Sequence, residues 1–124
     1  MKKNENTNPE PVWNLQELLA RVDNDLELVR DLLAIFHEDS PEHISSLGRA
    51  VAAGDLSSVA AVAHSLKGML SNLSALRASA AVARLERMAR NGEKEGLTEA
   101  FKAFQREMNS LTQELASYSA EVRT

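Results

Sequence analysis

Within "AVAHSLKGMLSNL", Ala61 to Leu73, three residues have types and spacing that could do chemistry: His64, Lys67 and Gly68. Read as a helix at about 100° per residue, the stretch gathers Val59, Val62, Ala63, Leu66, Leu70 and Leu73 in one narrow arc. His64 falls about 160° from the centre of that arc, close to the most exposed direction. Gly68 lies one turn further on, with Ser71 and Lys67 beside it, and Ser57, Ala60 and Ala61 complete the same outward face. A solvated helix face is ordinarily filled with long charged side chains. This one is stripped of bulk and keeps a single lysine. Glycine in a helix interior costs roughly 0.5–1 kcal/mol relative to alanine, so Gly68 needs a compensating gain. Close approach of another molecule to the helix beside the imidazole supplies one. A free imidazole is largely neutral and nucleophilic near neutral pH, and its nitrogen can take up a phosphoryl group and give it away again. Lys67, at i+3 on the same face, places a positive point charge where the phosphoryl charge would sit.

The plain alternatives are an incidental surface histidine and a solvated lysine. Position alone does not separate them from the chemical reading; the combination of His64, Lys67 and Gly68 does. His37 and His43 are six residues apart and do not share a helical face cleanly, so they read as surface residues and no metal site is expected. Arg77, Arg84, Arg87 and Arg90 form a basic edge, read as a solvated face or as support for a docking partner.

The elements that must position His64 follow from apolar periodicity. Asn14 is a plausible N-cap with Glu17 three residues on, and Trp13 can staple onto Leu18, which predicts a short helix over 14–21. From Leu26 to Val51 the apolar stripe keeps phase across Pro41, so one long helix, kinked or barely interrupted at Ser40–Pro41, is preferred over two. Gly54-Asp55 is a stop followed by an N-cap. A helix then runs from Leu56 to about Leu73, another to about Arg90, and Asn91-Gly92 ends it. The last helix starts near Glu95. Its positions Leu97, Phe101, Phe104, Met108, Leu111, Leu115 and Tyr118 are a heptad-like seam, read as bundle core. No stretch alternates as a strand does. Four main helices with short connections predict an all-α fold, an antiparallel up-down-up-down four-helix bundle with a short N-terminal helix. Residues 1–12 are polar with two prolines and read as a flexible tail or linker, leaving 13–122 as the domain.

On these residues the sequence resembles the histidine-containing phosphotransfer (HPt) domains of two-component phosphorelays. The match rests on Ala63-His64-Ser65-Leu66-Lys67-Gly68 with Asn72-Leu73 and Ala75. It extends to "LLAIFHEDSPEHISSLGRAVAAGDLSSV", Leu32 to Val59, and to "LERMARNG", Leu85 to Gly92. The family often has small residues at the position of Met69 and glycine at those of Ser71 and Ser74; Ser71 is still small. The resemblance implies a bundle whose His64 accepts a phosphoryl group from a receiver-domain aspartate and relays it to another response regulator. Lys67 would stabilise the phosphoryl group, and Ala60, Ala61, Gly68 and Ser71 would form the receiver-docking face. It implies no catalytic machinery and no cofactor on this chain, with Mg²⁺ on the partner receiver. An upstream hybrid histidine kinase is the implied source, and the chain is either freestanding or cut from such a kinase. A non-catalytic helical adaptor, and the substrate domain of a chemotaxis-type kinase, are the competing readings.

Composition narrows the classes further. The 44% hydrophobic and 26% charged residues describe a globular chain, and the absence of cysteine excludes disulfides and thiolate chemistry. A net charge of −4 gives no nucleic-acid surface. No apolar run reaches the roughly 20 residues that span a bilayer, and the N-terminus lacks the apolar segment of a signal peptide. P-loop, glycine-rich nucleotide and HExxH motifs are absent. A cytoplasmic, monomeric bacterial module is expected.

Overall fold

The structure, a computed structural model, describes residues 10–123. It has five helices in chain order: α1 (Leu15–Arg21), α2 (Leu26–Ala53), α3 (Leu56–Asn72), α4 (Leu76–Arg90) and α5 (Leu97–Arg123). No strand occurs among the described residues. The expected tail falls, up to residue 9, outside them.

Helix boundaries follow from local chemistry. The carboxamide of Asn14 accepts the Glu17 amide N–H at 3.0 Å and starts α1. Asp25 and Asp55 cap α2 and α3 in the same way, from Leu28 and Ser58. Gly54 stops α2 in the left-handed region at φ 66°, where a side chain would be strained. Pro41 lies inside α2, which runs uninterrupted past it, as the unbroken apolar phase predicted. The last helix begins at Leu97 rather than Glu95, because Gly96 takes φ 83° and cannot belong to a right-handed helix.

The four long helices close into a ring: α3 packs against α2 and α4, and α5 packs against α4 and α2. Cross-helix pairs show the direction of the chain. Ser71 meets Ser79, while Lys67 and His64 meet Glu86, so numbers rise on α3 as they fall toward the start of α4. The core is mostly aliphatic, with Val59, Leu66, Leu70, Val82, Leu85 and Leu111 fully buried around the aromatic ring of Phe104. Phe101 of the seam sits against Gly48, where a Cβ would lie 3.3 Å from its ring, so the glycine lets α2 and α5 approach.

α1 is tied to the α3–α4 corner. The Trp13 indole N–H donates to the Leu73 carbonyl at 2.8 Å, and its ring meets Tyr118 edge-on at 5.2 Å. Trp13 thus anchors the start of α1 to the bundle. Arg21 donates to the Ser71 and Asn72 carbonyls and to Ser74 Oγ, capping the end of α3 from outside. Ser74 is buried with φ 63°, a conformation that suits glycine better; its hydroxyl holds the Arg21 contact there.

Candidate functional site

His64 lies in the middle of α3 with its side chain 63% exposed, on the side the periodicity assigned. Its ring is held from below. Nδ1 lies 2.9 Å from Oε2 of Glu86, which projects from α4. Lys67, one turn along α3, places Nζ 2.8 Å from Oε1 of the same carboxylate. Arg90, one turn along α4, donates from both Nε (3.0 Å) and Nη2 (2.8 Å) to Oε2. One buried carboxylate therefore gathers three nitrogen-bearing side chains from two helices, and both its oxygens are engaged.

The Glu86 side chain is only 8% exposed. Burial opposes its charge, but the Lys67 hydrogen bond, followed by those from Arg90 and His64, outweighs it. Its carboxyl is held at about 2, against an ordinary 4.5, and is ionised at neutral pH. A buried carboxylate with paired cations is stable there, whereas an unpaired one would take up a proton.

Around the imidazole the surface is shallow and small. Ala61 and Ser71 are exposed, and so is Gly68. A Cβ built on Gly68 meets nothing within 4 Å, so no contact among the described residues explains the glycine. Ser71 and Ser79 share a hydroxyl–hydroxyl hydrogen bond of 2.8 Å across the α3–α4 contact. Ala60 departs from expectation: it is buried, not part of the outward face. It belongs to the hydrophobic core of the bundle, two turns before Lys67 on α3.

Two concavities among the described residues lie elsewhere. One is an open groove of about 610 Å³ beside Trp13 and Tyr118, and the other lies around Arg84, Arg87 and Asn91. His64 stands on a convex helix face, which suits contact with a macromolecule better than enclosure of a small substrate. No cluster of metal-ligating side chains occurs among the described residues. Nor does any of their helices have the length and apolarity to cross a membrane.

Glu86 was not singled out from the sequence, and Arg90 was seen only as part of a basic edge. A signal was present. Ser79, Val82, Glu86 and Ala89 recur at 3-4-3 spacing, which puts a glutamate in phase with the buried stripe of α4. Of the four arginines of that edge, Arg90 pairs with Glu86, and Arg77 pairs with Glu107 of α5 at 3.0 Å. Arg84 and Arg87 are exposed.

A bundle that presents an exposed histidine with a lysine at i+3 and a bare glycine at i+4 suits a phosphoryl carrier. Residues 31–117 match the model of the Hpt domain, and the chain belongs to that family, the phosphocarrier modules of phosphorelays that have no catalytic activity of their own. Among solved structures, it is similar to the crystal structure of histidine-containing phosphotransfer protein B (HptB) from Pseudomonas aeruginosa PAO1. The two are 27% identical, with a TM-score of 0.82 over 90% of this chain and 96% of that one. No curated protein matches.

Proposed function

We propose that His64 is the phosphoacceptor, taking a phosphoryl group from the aspartate of a receiver domain and relaying it to another response regulator. The observation that carries this reading is the exposed imidazole on a face without bulk, beside a glycine that no contact among the described residues accounts for. In the forward step a ring-nitrogen lone pair attacks phosphorus. The P–O bond to the aspartyl oxygen breaks, and its electron pair leaves with the carboxylate. Lys67 supplies positive charge to the phosphoryl oxygens, while Ala61, Gly68 and Ser71 leave room for the receiver to lie against α3. Mg²⁺ belongs to the receiver in this scheme. The source is a hybrid histidine kinase, and the module works as a cytoplasmic monomer, freestanding or as part of such a kinase.

The test is transfer from a phosphorylated receiver domain to the purified chain and to its His64→Gln variant. The expected product is an acid-labile, alkali-stable phosphoryl group on the wild type alone. A folded wild-type chain that stays unlabelled across a broad panel of receivers would favour an adaptor that binds receivers without transfer.

A further inference from the structure

The helix that carries His64 is poorly finished by its own residues. Its last five positions, Gly68-Met69-Leu70-Ser71-Asn72, include three of low helix propensity, and its last turn holds no basic side chain. The final carbonyls of a helix lack partners within it and form the negative end of its dipole. Here four consecutive carbonyls, those of Ser71 to Ser74, accept from one place, α1 and the two residues before it. Arg21 Nη2 donates to Ser71 at 3.2 Å and to Asn72 at 2.8 Å. The Trp13 indole N–H donates to Leu73 at 2.8 Å, and the Asn14 backbone N–H to Ser74 at 3.0 Å. The cationic side chain that α3 lacks at this end is therefore supplied by another helix.

The tied segment is the one the receiver-docking face needs. Ser71 belongs to both: Arg21 holds its carbonyl, and its hydroxyl pairs with Ser79 of α4. In an α-helix the amide of residue i bonds the carbonyl of i−4, so a last turn that frays at Asn72 also releases Gly68. His64 stands two turns before Ser71, out of reach of such fraying. The task of Arg21 is also separable from that of seating α1, because Trp13 and Leu18 are buried and Arg21 is exposed.

We propose that Arg21 is a positioning residue for receiver docking: it caps α3 from outside, so that the turn bearing Gly68 and Ser71 meets a receiver as ordered helix. This rests on the reading of His64 as phosphoacceptor and of α3 as the docking face. The consequence is a division of labour. Chemistry at the imidazole belongs to the middle of α3, whereas the fit of a receiver depends on α1. A receiver that needs the ordered turn binds only the fraction of molecules in which that turn is formed.

The experiment compares the wild type with Arg21→Gln and Arg21→Lys, with far-UV circular dichroism and urea unfolding as checks on the fold. Amide hydrogen exchange across Gly68 to Ala75 reads the order of the turn. Transfer is measured over a range of phosphorylated-receiver concentrations, which separates half-saturation from maximal rate. Phosphoramidate, which phosphorylates histidine with loss of ammonia and needs no receiver, reads the imidazole alone. In Arg21→Gln the Ser71 and Asn72 amides should exchange about fivefold or more faster, the factor that dipole and hydrogen-bond losses give at an exposed helix end. Half-saturation should rise several-fold, with maximal rate and phosphoramidate labelling unchanged. Arg21→Lys keeps the charge but not the fork of donors, and should fall between. Wild-type exchange in a folded Arg21→Gln chain overturns the cap. Faster exchange with unchanged half-saturation overturns the positioning role and leaves Arg21 as a local tie. Slower phosphoramidate labelling would place the disturbance at His64 and overturn the division of labour. A wild type that phosphoramidate labels and no receiver does would remove receiver transfer, and the positioning role with it, while the exchange result would still decide whether Arg21 caps α3.

Discussion

Replacing Gly68 by alanine should make the protein more stable and a poorer phosphotransfer partner at once. The glycine sits inside α3, exposed, and an added Cβ meets no atom within 4 Å. No described residue resists the methyl, so the full propensity gain of about 0.5–1 kcal/mol should appear. For a domain of this size that raises the unfolding midpoint by roughly 2–5 °C, measurable by circular dichroism at 222 nm. Function should move the other way. A receiver that packs against bare helix beside His64 would meet the methyl, and one methyl forced into a close-packed contact costs about 1–3 kcal/mol. Transfer from a phosphorylated receiver should slow by about tenfold or more. Labelling by phosphoramidate, which makes no helix contact, should be unchanged. A destabilised Gly68→Ala chain would show that the glycine serves the fold. A stabilised variant with unimpaired receiver transfer would refute docking over Gly68.

Three further expectations concern stability. The Glu86 carboxyl is depressed from 4.5 to about 2, so its contribution is fully present above about pH 4.5 and is lost as pH falls toward 2. The gap corresponds to about 3 kcal/mol at most, and to about 1–2 kcal/mol once solvent around Lys67 and Arg90, 37% and 58% exposed, screens the pairs. The urea-derived stability difference between wild type and Glu86→Gln should therefore shrink by more than half between pH 7 and pH 3; a pH-independent difference would place the stabilisation elsewhere. Trp13→Phe removes the hydrogen bond to the Leu73 carbonyl and should cost about 1–3 kcal/mol in urea unfolding, with no loss meaning that the α1 tie is unimportant. Pro41→Ala restores an amide donor within α2 and should raise stability by about 1–3 kcal/mol; a destabilised variant would mean that packing depends on the proline.

Much of this molecule is legible along the chain because helices are local objects. The steps between Leu26, Val29, Leu33, Phe36, Ile44, Leu47 and Val51 carry one helix through Pro41, and the structure contains that helix. The Gly54-Asp55 stop and cap fall where those residue types place them. Gly96 misled by two residues, because its positive φ is a property of the turn into α5 rather than of any apolar pattern.

The site divides along the same line. Periodicity around one axis put His64, Lys67 and Gly68 on the outward side of α3, since about 100° per residue needs no knowledge of neighbours. It could not say which flank of α3 a neighbour would cover. Ala60 therefore looked free although it is buried in the bundle, and the Ser71–Ser79 contact was invisible. Glu86 is the clearest case. Twenty-two residues separate it from His64, and only the antiparallel docking of α4 on α3 brings its carboxylate to the ring. The sequence by itself determined which residue could carry a phosphoryl group and which way it points. Only the packing of α4 on α3 decided that a buried carboxylate lies 2.9 Å from Nδ1 of that ring, because the two residues meet across a helix interface and not along one helix.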